Sequence, residues 1–127
     1  MINRRNREAA ARFEERQARE NDAPRLLAEV PRLETLSLLV DEYRDDDDSP
    51  WVSHTRHIVV SRAPALFLLQ CSDPDCEDGG YPITRRVMTE LRSGSVAFEL
   101  DEDCRGTRHG RLCRRRAHVT AVATYGD

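Results

Sequence analysis

Four cysteines are the residues of this 127-residue chain best suited to chemistry. They form two pairs, Cys71 with Cys76 and Cys104 with Cys113, spaced C-x4-C and C-x8-C. Two separated cysteine pairs are typical of structural metal sites, in which four thiolates enclose one tetrahedral Zn²⁺. Buried unligated thiols and disulfides are the alternatives that the spacing leaves open. The sequence contains no G-x-S-x-G, P-loop or H-E-x-x-H pattern of a catalytic site.

The predicted cofactor is one structural Zn²⁺. Zinc is favoured over an iron–sulfur cluster because the C-x4-C pair lacks the close third cysteine of plant-type ferredoxins. Four cysteine ligands would close the coordination shell, whereas a catalytic zinc keeps an open position. His109 lies between Cys104 and Cys113 and is the one candidate to replace a cysteine ligand. The other interpretation of His109 is an exposed loop residue.

The N-terminal sequence and the absence of long apolar runs favour a bacterial-type cytoplasm. Residues 1–20 have no apolar core of the kind that a signal peptide needs. No stretch approaches the roughly 18 apolar residues of a membrane span, so no membrane partner is predicted. Cytoplasmic thiols stay reduced, which favours a metal over disulfides.

The N-terminal half predicts a helix followed by strands. Residues 2–20 form a helix that is polar nearly all round, which is typical of a solvated or partner-bound helix. We therefore expect residues 1–22 to be a charged helical arm. Strands near 35–43 and 51–60 are predicted to pair as an antiparallel hairpin. A third, strongly apolar strand at 65–70 runs directly into Cys71.

The C-terminal half supplies a packed helix and two more strands. The helix is predicted at 83–92, and the strands at 95–100 and 117–125. The expected fold is a single α+β domain over residues 23–127, with a mostly antiparallel sheet of about five strands and one packed helix. If the last two strands pair, Cys104 and Cys113 lie at the mouth of one hairpin.

With one ligand pair per loop, this arrangement resembles a zinc-ribbon site. The resemblance implies that all four sulfurs converge at one end of the sheet if the third strand joins it. The sequence departs from the usual ribbon knuckle, which is C-x2-C with a nearby glycine, in both pairs.

Charge is distributed unevenly along the chain. Residues 71–103 contain nine acidic residues and three arginines, a net charge of about −6. Residues 104–127 contain six arginines and one acidic residue, a net charge of about +5. This asymmetry predicts either a local basic surface or attraction between the two segments within the fold.

Two groups of arginines are the predicted contact residues for a nucleic acid or protein partner. Under the alternative interpretation, the loop arginines pair with the acids at 101–103, and the helix charges pair along the helix. The first group surrounds the second cysteine pair and consists of Arg105, Arg108, Arg111, Arg114, Arg115 and Arg116. The second group lies on the N-terminal helix and consists of Arg4, Arg5 and Arg12.

The function predicted from these features is a non-catalytic, zinc-stabilised binding module. Its partner would be a protein or a nucleoprotein of the ribosome or transcription-machinery type. One alternative is a small metal- or thiol-dependent enzyme, which would need a cleft with perturbed titratable groups. The other is an accessory subunit of a larger assembly that makes no nucleic-acid contact.

Overall fold

The computed structural model describes residues 4–45 and 47–126, with side chains from Arg7 onward except that of Ala9. The fold is α+β, and all the strand pairs described are antiparallel. The elements in chain order are α1 Arg4–Asp22, α2 Leu26–Glu29, β1 Leu33–Arg44, β2 Val52–Ile58, β3 Leu68–Leu69, β4 Cys76–Glu77, β5 Tyr81–Pro82, α3 Thr84–Arg92, β6 Ala97–Asp103, β7 Thr107–Arg108, β8 Arg111–Leu112 and β9 Arg115–Tyr125. No helix in the described ranges is long and apolar enough to cross a membrane.

A four-stranded sheet with the order β2-β1-β9-β6 forms the centre of the fold. β1 and β2 are an antiparallel hairpin, and β6 pairs antiparallel with β9. The first pairing confirms the predicted hairpin, and the second meets the condition on which the expected position of the second cysteine pair depended. The two longest strands, β1 and β9, pair in the middle. Cys104 directly follows β6, and Cys113 lies two residues before β9.

One face of this sheet packs on the core because apolar residues recur at every second position. In β1, Leu36, Leu38 and Val40 are at most 2% exposed, while the intervening residues face outward. The predicted packed helix is present as α3, which buries Val87, Met88 and Leu91. Gly94, with φ of +77°, follows the end of α3 in the left-handed conformation that favours glycine.

The predicted third strand does not join the main sheet, which corrects the expectation of one sheet of about five strands. Only Leu68–Leu69 of residues 65–70 forms a strand, and it pairs with β5 in a separate two-stranded sheet. The preceding backbone groups bond elsewhere: the N–H of Ala65 donates to the Pro24 carbonyl, and the N–H of Phe67 donates to Thr84 Oγ1. A second small sheet, with the strand order β4-β7-β8, lies beside the cysteines.

α1 contacts the rest of the chain through polar side chains. Arg12 Nε lies 3.9 Å from Asp78 Oδ1, and the guanidinium of Arg16 donates to the Gln70 carboxamide oxygen at 2.8 Å. Phe13, the largest apolar side chain of this helix, remains 55% exposed. The division of the chain into an arm and a domain remains a prediction.

Adjacent residues of β1 test the one-sided burial of the sheet. We expect Leu38→Ala to lower the free energy of unfolding by about 3 kcal/mol, because Leu38 is fully buried and truncation leaves a cavity. The matched control, Leu39→Ala on the outward face, should cost less than about 1 kcal/mol. Urea denaturation of both variants measures the difference. Equal costs would contradict the assignment of the two faces.

Candidate metal centre

The four cysteine sulfurs form one compact cluster. Their Sγ atoms all lie within 4.8 Å of one another, with 3.9 Å between Cys71 and Cys113 and 3.6 Å between Cys76 and Cys104. A tetrahedron of sulfurs with metal–sulfur bonds of about 2.3 Å has edges of about 3.8 Å. A disulfide would need about 2.05 Å, and all four thiols are free. The spacing fits a metal ion at the centre of the cluster.

Two loops bring the sulfurs together. Cys104 follows β6 and Cys113 precedes β9, and the N–H of Cys104 donates to the Arg115 carbonyl at 2.9 Å. This confirms the predicted position at the mouth of a hairpin. Cys76 lies in β4 and pairs with Arg108 of β7, so the small sheet β4-β7-β8 joins the first cysteine loop to the second.

Two glycines that were not among the predicted site residues allow the loops to approach the sulfurs. A Cβ atom on Gly79 would lie 2.1 Å from Cys76 Sγ, and one on Gly106 would lie 2.6 Å from the same sulfur. The N–H of Gly106 also donates to Cys104 Sγ at 3.4 Å. The signal in the sequence that could have identified them is their position, two residues after Cys104 and three residues after Cys76. These positions differ from the spacing of the usual zinc-ribbon knuckle.

Asp73 organises the first cysteine loop. Its carbonyl accepts from the N–H of Cys76 at 3.1 Å, and its Oδ1 accepts from the N–H of Asp75 at 2.9 Å. Its Oδ2 accepts from Arg108 at 3.0 Å and from Arg115 at 2.8 Å. Burial raises the pKa of the Asp73 carboxyl, but the Asp75 N–H and the two guanidinium groups outweigh it and hold that pKa below its usual value.

The buried carboxylate of Glu42 connects the main sheet to the site. Glu42 is fully buried in β1, and it accepts hydrogen bonds from the N–H and hydroxyl of Ser72 and from the Tyr81 hydroxyl. The Tyr81 hydroxyl also lies 3.9 Å from Cys71 Sγ. Such outer contacts fix the orientation of metal ligands. Glu42 was not predicted as a site residue, because it occupies an inward position of a strand that is otherwise apolar there.

The thiols differ in acidity. Burial raises the pKa of Cys71 to about 12, and the charges of Cys104 and Cys113 add to this effect. Burial likewise raises the pKa of Cys76. Burial also acts on Cys104, but backbone N–H groups of Gly106 and Gly80 outweigh it and lower its pKa. Neighbouring thiolates repel one another, and a divalent cation among them would remove that repulsion.

His109 lies outside the sulfur cluster. It forms the two-residue turn between β7 and β8 with Gly110, and both residues have positive φ, as a type I′ turn requires. Its side chain is 76% exposed, with Nε2 3.8 Å from Asp75 Oδ2. In the described part of the chain, the candidate ligands of this cluster are the four cysteines. His109 therefore fits the interpretation as an exposed loop residue.

Three of the predicted contact arginines are engaged within the fold. Arg108 and Arg115 pair with Asp73. Arg116 donates to the Asp47 carbonyl and lies over the Tyr43 ring. Arg115 is only 6% exposed, which corrects its placement on a partner-binding surface. The two ion pairs of Asp73 join the acidic segment 71–103 to the basic segment 104–127.

The remaining predicted arginines are more accessible. Arg111 and Arg114 are exposed and have no ion pair within the described residues, and Arg105 pairs with Glu102 at 2.9 Å. Arg12, which is on α1, lies near Asp78. The side chains of Arg4 and Arg5 lie outside the described residues.

Comparison with known proteins gives no match: no family model, curated protein or solved structure is similar to this chain. The candidate site therefore has to be interpreted from its own geometry.

Substitution of Gly79 tests whether metal binding needs the close approach of the loops. We expect Gly79→Ala to reduce the metal bound per chain, because the new methyl group would overlap Cys76 Sγ. Gly94→Ala is the control: its Cβ meets no atom within 4 Å, but the φ of +77° makes it destabilising. It therefore separates a general loss of stability from loss of the close approach, and its metal content should stay unchanged. Elemental analysis of both purified variants measures the effect. Full metal content in Gly79→Ala would contradict this packing.

Proposed function

We propose that this protein is a non-catalytic binding module whose four cysteines hold one structural Zn²⁺. The observation that carries the proposal is the set of sulfur–sulfur distances of 3.6 and 3.9 Å. Four thiolates in a tetrahedron are the ligand set that zinc prefers in structural sites. Because all four positions would be filled by the protein, none remains for a substrate or an activated water.

The metal would stabilise a contact surface on the second cysteine loop. We define the second-loop surface as Arg111, Leu112 and Arg114. Leu112 is 76% exposed, and an apolar side chain between two exposed cations is suited to contact with a protein or nucleoprotein. We propose as its partner an assembly of the ribosome or transcription-machinery type, and α1 would serve as a second contact.

Removal of the metal tests the structural role. We expect a strong chelator to lower the melting temperature by at least about 10 °C, because the binding energy of a structural zinc contributes directly to folding. Added Zn²⁺ should restore it. Cys113→Ser should melt at the lower temperature without chelator and respond little to it. Unchanged melting of the wild-type protein under chelation would contradict the proposal.

Charge reversal tests the second-loop surface. We expect Arg111→Glu with Arg114→Glu to abolish capture of the partner from a lysate of the source cells, while zinc content stays unchanged. The control, Arg32→Glu with Arg62→Glu, makes the same change in net charge at two exposed positions outside α1 and the second cysteine loop. Nuclease treatment distinguishes a nucleoprotein partner from a protein. Capture that is equal for both double variants would contradict the assignment of this surface.

A further inference from the structure

A cleft separates α1 from the β3–β5 sheet. Its volume is about 770 Å³, within the range of ligand-binding sites. The residues of β3, together with Leu66 and Pro82, contribute to its lining. Gly79 and Gly80 also line it, so the cleft borders the candidate metal centre without using the sulfurs.

The cleft is strongly basic. Five arginines line it, three from α1, one from α3 and one from the second cysteine loop, while its acids are Glu15 and Asp78. The arginines are Arg12, Arg16, Arg19, Arg85 and Arg105. Convergence of cations from three parts of the chain raises the local positive potential, which attracts an anionic ligand.

The arginines differ in how far other residues engage them. Arg16 is held by Gln70, and Arg105 pairs with Glu102. Arg19 and Arg85 are exposed, and neither has a side-chain hydrogen bond or ion pair with any other described residue. Two uncompensated guanidinium groups, one on α1 and one on α3, are therefore free to bind the ligand.

We propose that this cleft binds single-stranded nucleic acid through its phosphates. Arg12, Arg16 and Arg19 follow helical spacing along one side of α1, so they span about 10 Å of the helix axis. A nucleic-acid strand presents one negative charge per nucleotide, so a row of cations can pair with successive phosphates. Arginine planes can also stack on bases, and apolar side chains in the cleft can contact sugars and bases.

Single strands suit the shape of the cleft better than a duplex. The lining residues lie in a concave space between a helix and a small sheet, into which one strand can enter. The bases of a single strand can splay out to stack on arginine planes in such a space, whereas the bases of a duplex are held in pairs. This inference rests on the proposed binding function and names the nucleic acid as the ligand of one site on the module.

The test is fluorescence anisotropy of a labelled RNA strand of about 12 nucleotides, with Arg19→Glu and Arg85→Glu combined. We expect affinity to fall about tenfold or more and the slope of log K against log salt to become less steep by about 1.4, from two lost phosphate contacts. The control is Arg32→Glu with Arg62→Glu, which carries the same charge change outside both the cleft and α1 and should lose less than about threefold.

Circular dichroism and zinc content of each sample establish that the variants are folded. Equal losses in the two double variants, absence of wild-type binding at low salt, or tighter binding of a duplex or an acidic peptide would overturn the inference. Each of these results can occur while zinc content, chelator sensitivity and capture through the second-loop surface remain as proposed. Failure of this inference is therefore distinguishable from failure of the proposed function.

Discussion

The convergence of four cysteine sulfurs within 4.8 Å is the constraint on which the C-terminal half of this chain depends. The strands beside the cluster, β4, β7 and β8, have two residues each, and ladders this short are not stable without further support. Cys76 lies within this small sheet, and Cys113 follows it directly. A metal that fixes the sulfurs would also fix the loops, and would explain how so little regular structure can hold a defined shape.

Polar contacts connect this centre to the rest of the fold. Asp73 joins the first cysteine loop to Arg108 and Arg115, and Glu42 extends the network into the main sheet through Tyr81. Breaking such a pair by removing one partner leaves a buried charge unsatisfied. Much of the charge asymmetry of the sequence is thus compensated inside the fold. Arg111 and Arg114 of the second-loop surface, and Arg19 and Arg85 of the cleft beside α1, are exposed and have no side-chain partner among the described residues.

Features with a strong local period were predictable from the sequence. The alternation of Leu36, Leu38 and Val40 predicted β1, and the helical stripe of Val87, Met88 and Leu91 predicted α3. The cysteine spacing identified the candidate ligands. Residues 65–70 were misassigned because apolar composition does not reveal that backbone groups bond to Pro24 and Thr84. Glu42 was missed because its role depends on contacts with Ser72 and Tyr81, which lie far from it in the chain. Gly79 and Gly106 were missed because their role depends on the close approach of their backbone to Cys76 Sγ.

The account is tested most directly by metal content per chain, measured by elemental analysis on protein purified without added metal, together with titration of reactive thiols. The proposed closed site predicts about one zinc per chain and four thiols that react only after denaturation with a chelator. Metal-free, folded protein with four reactive thiols would contradict the central claim. So would iron as the bound metal, or a disulfide between any two of the four cysteines.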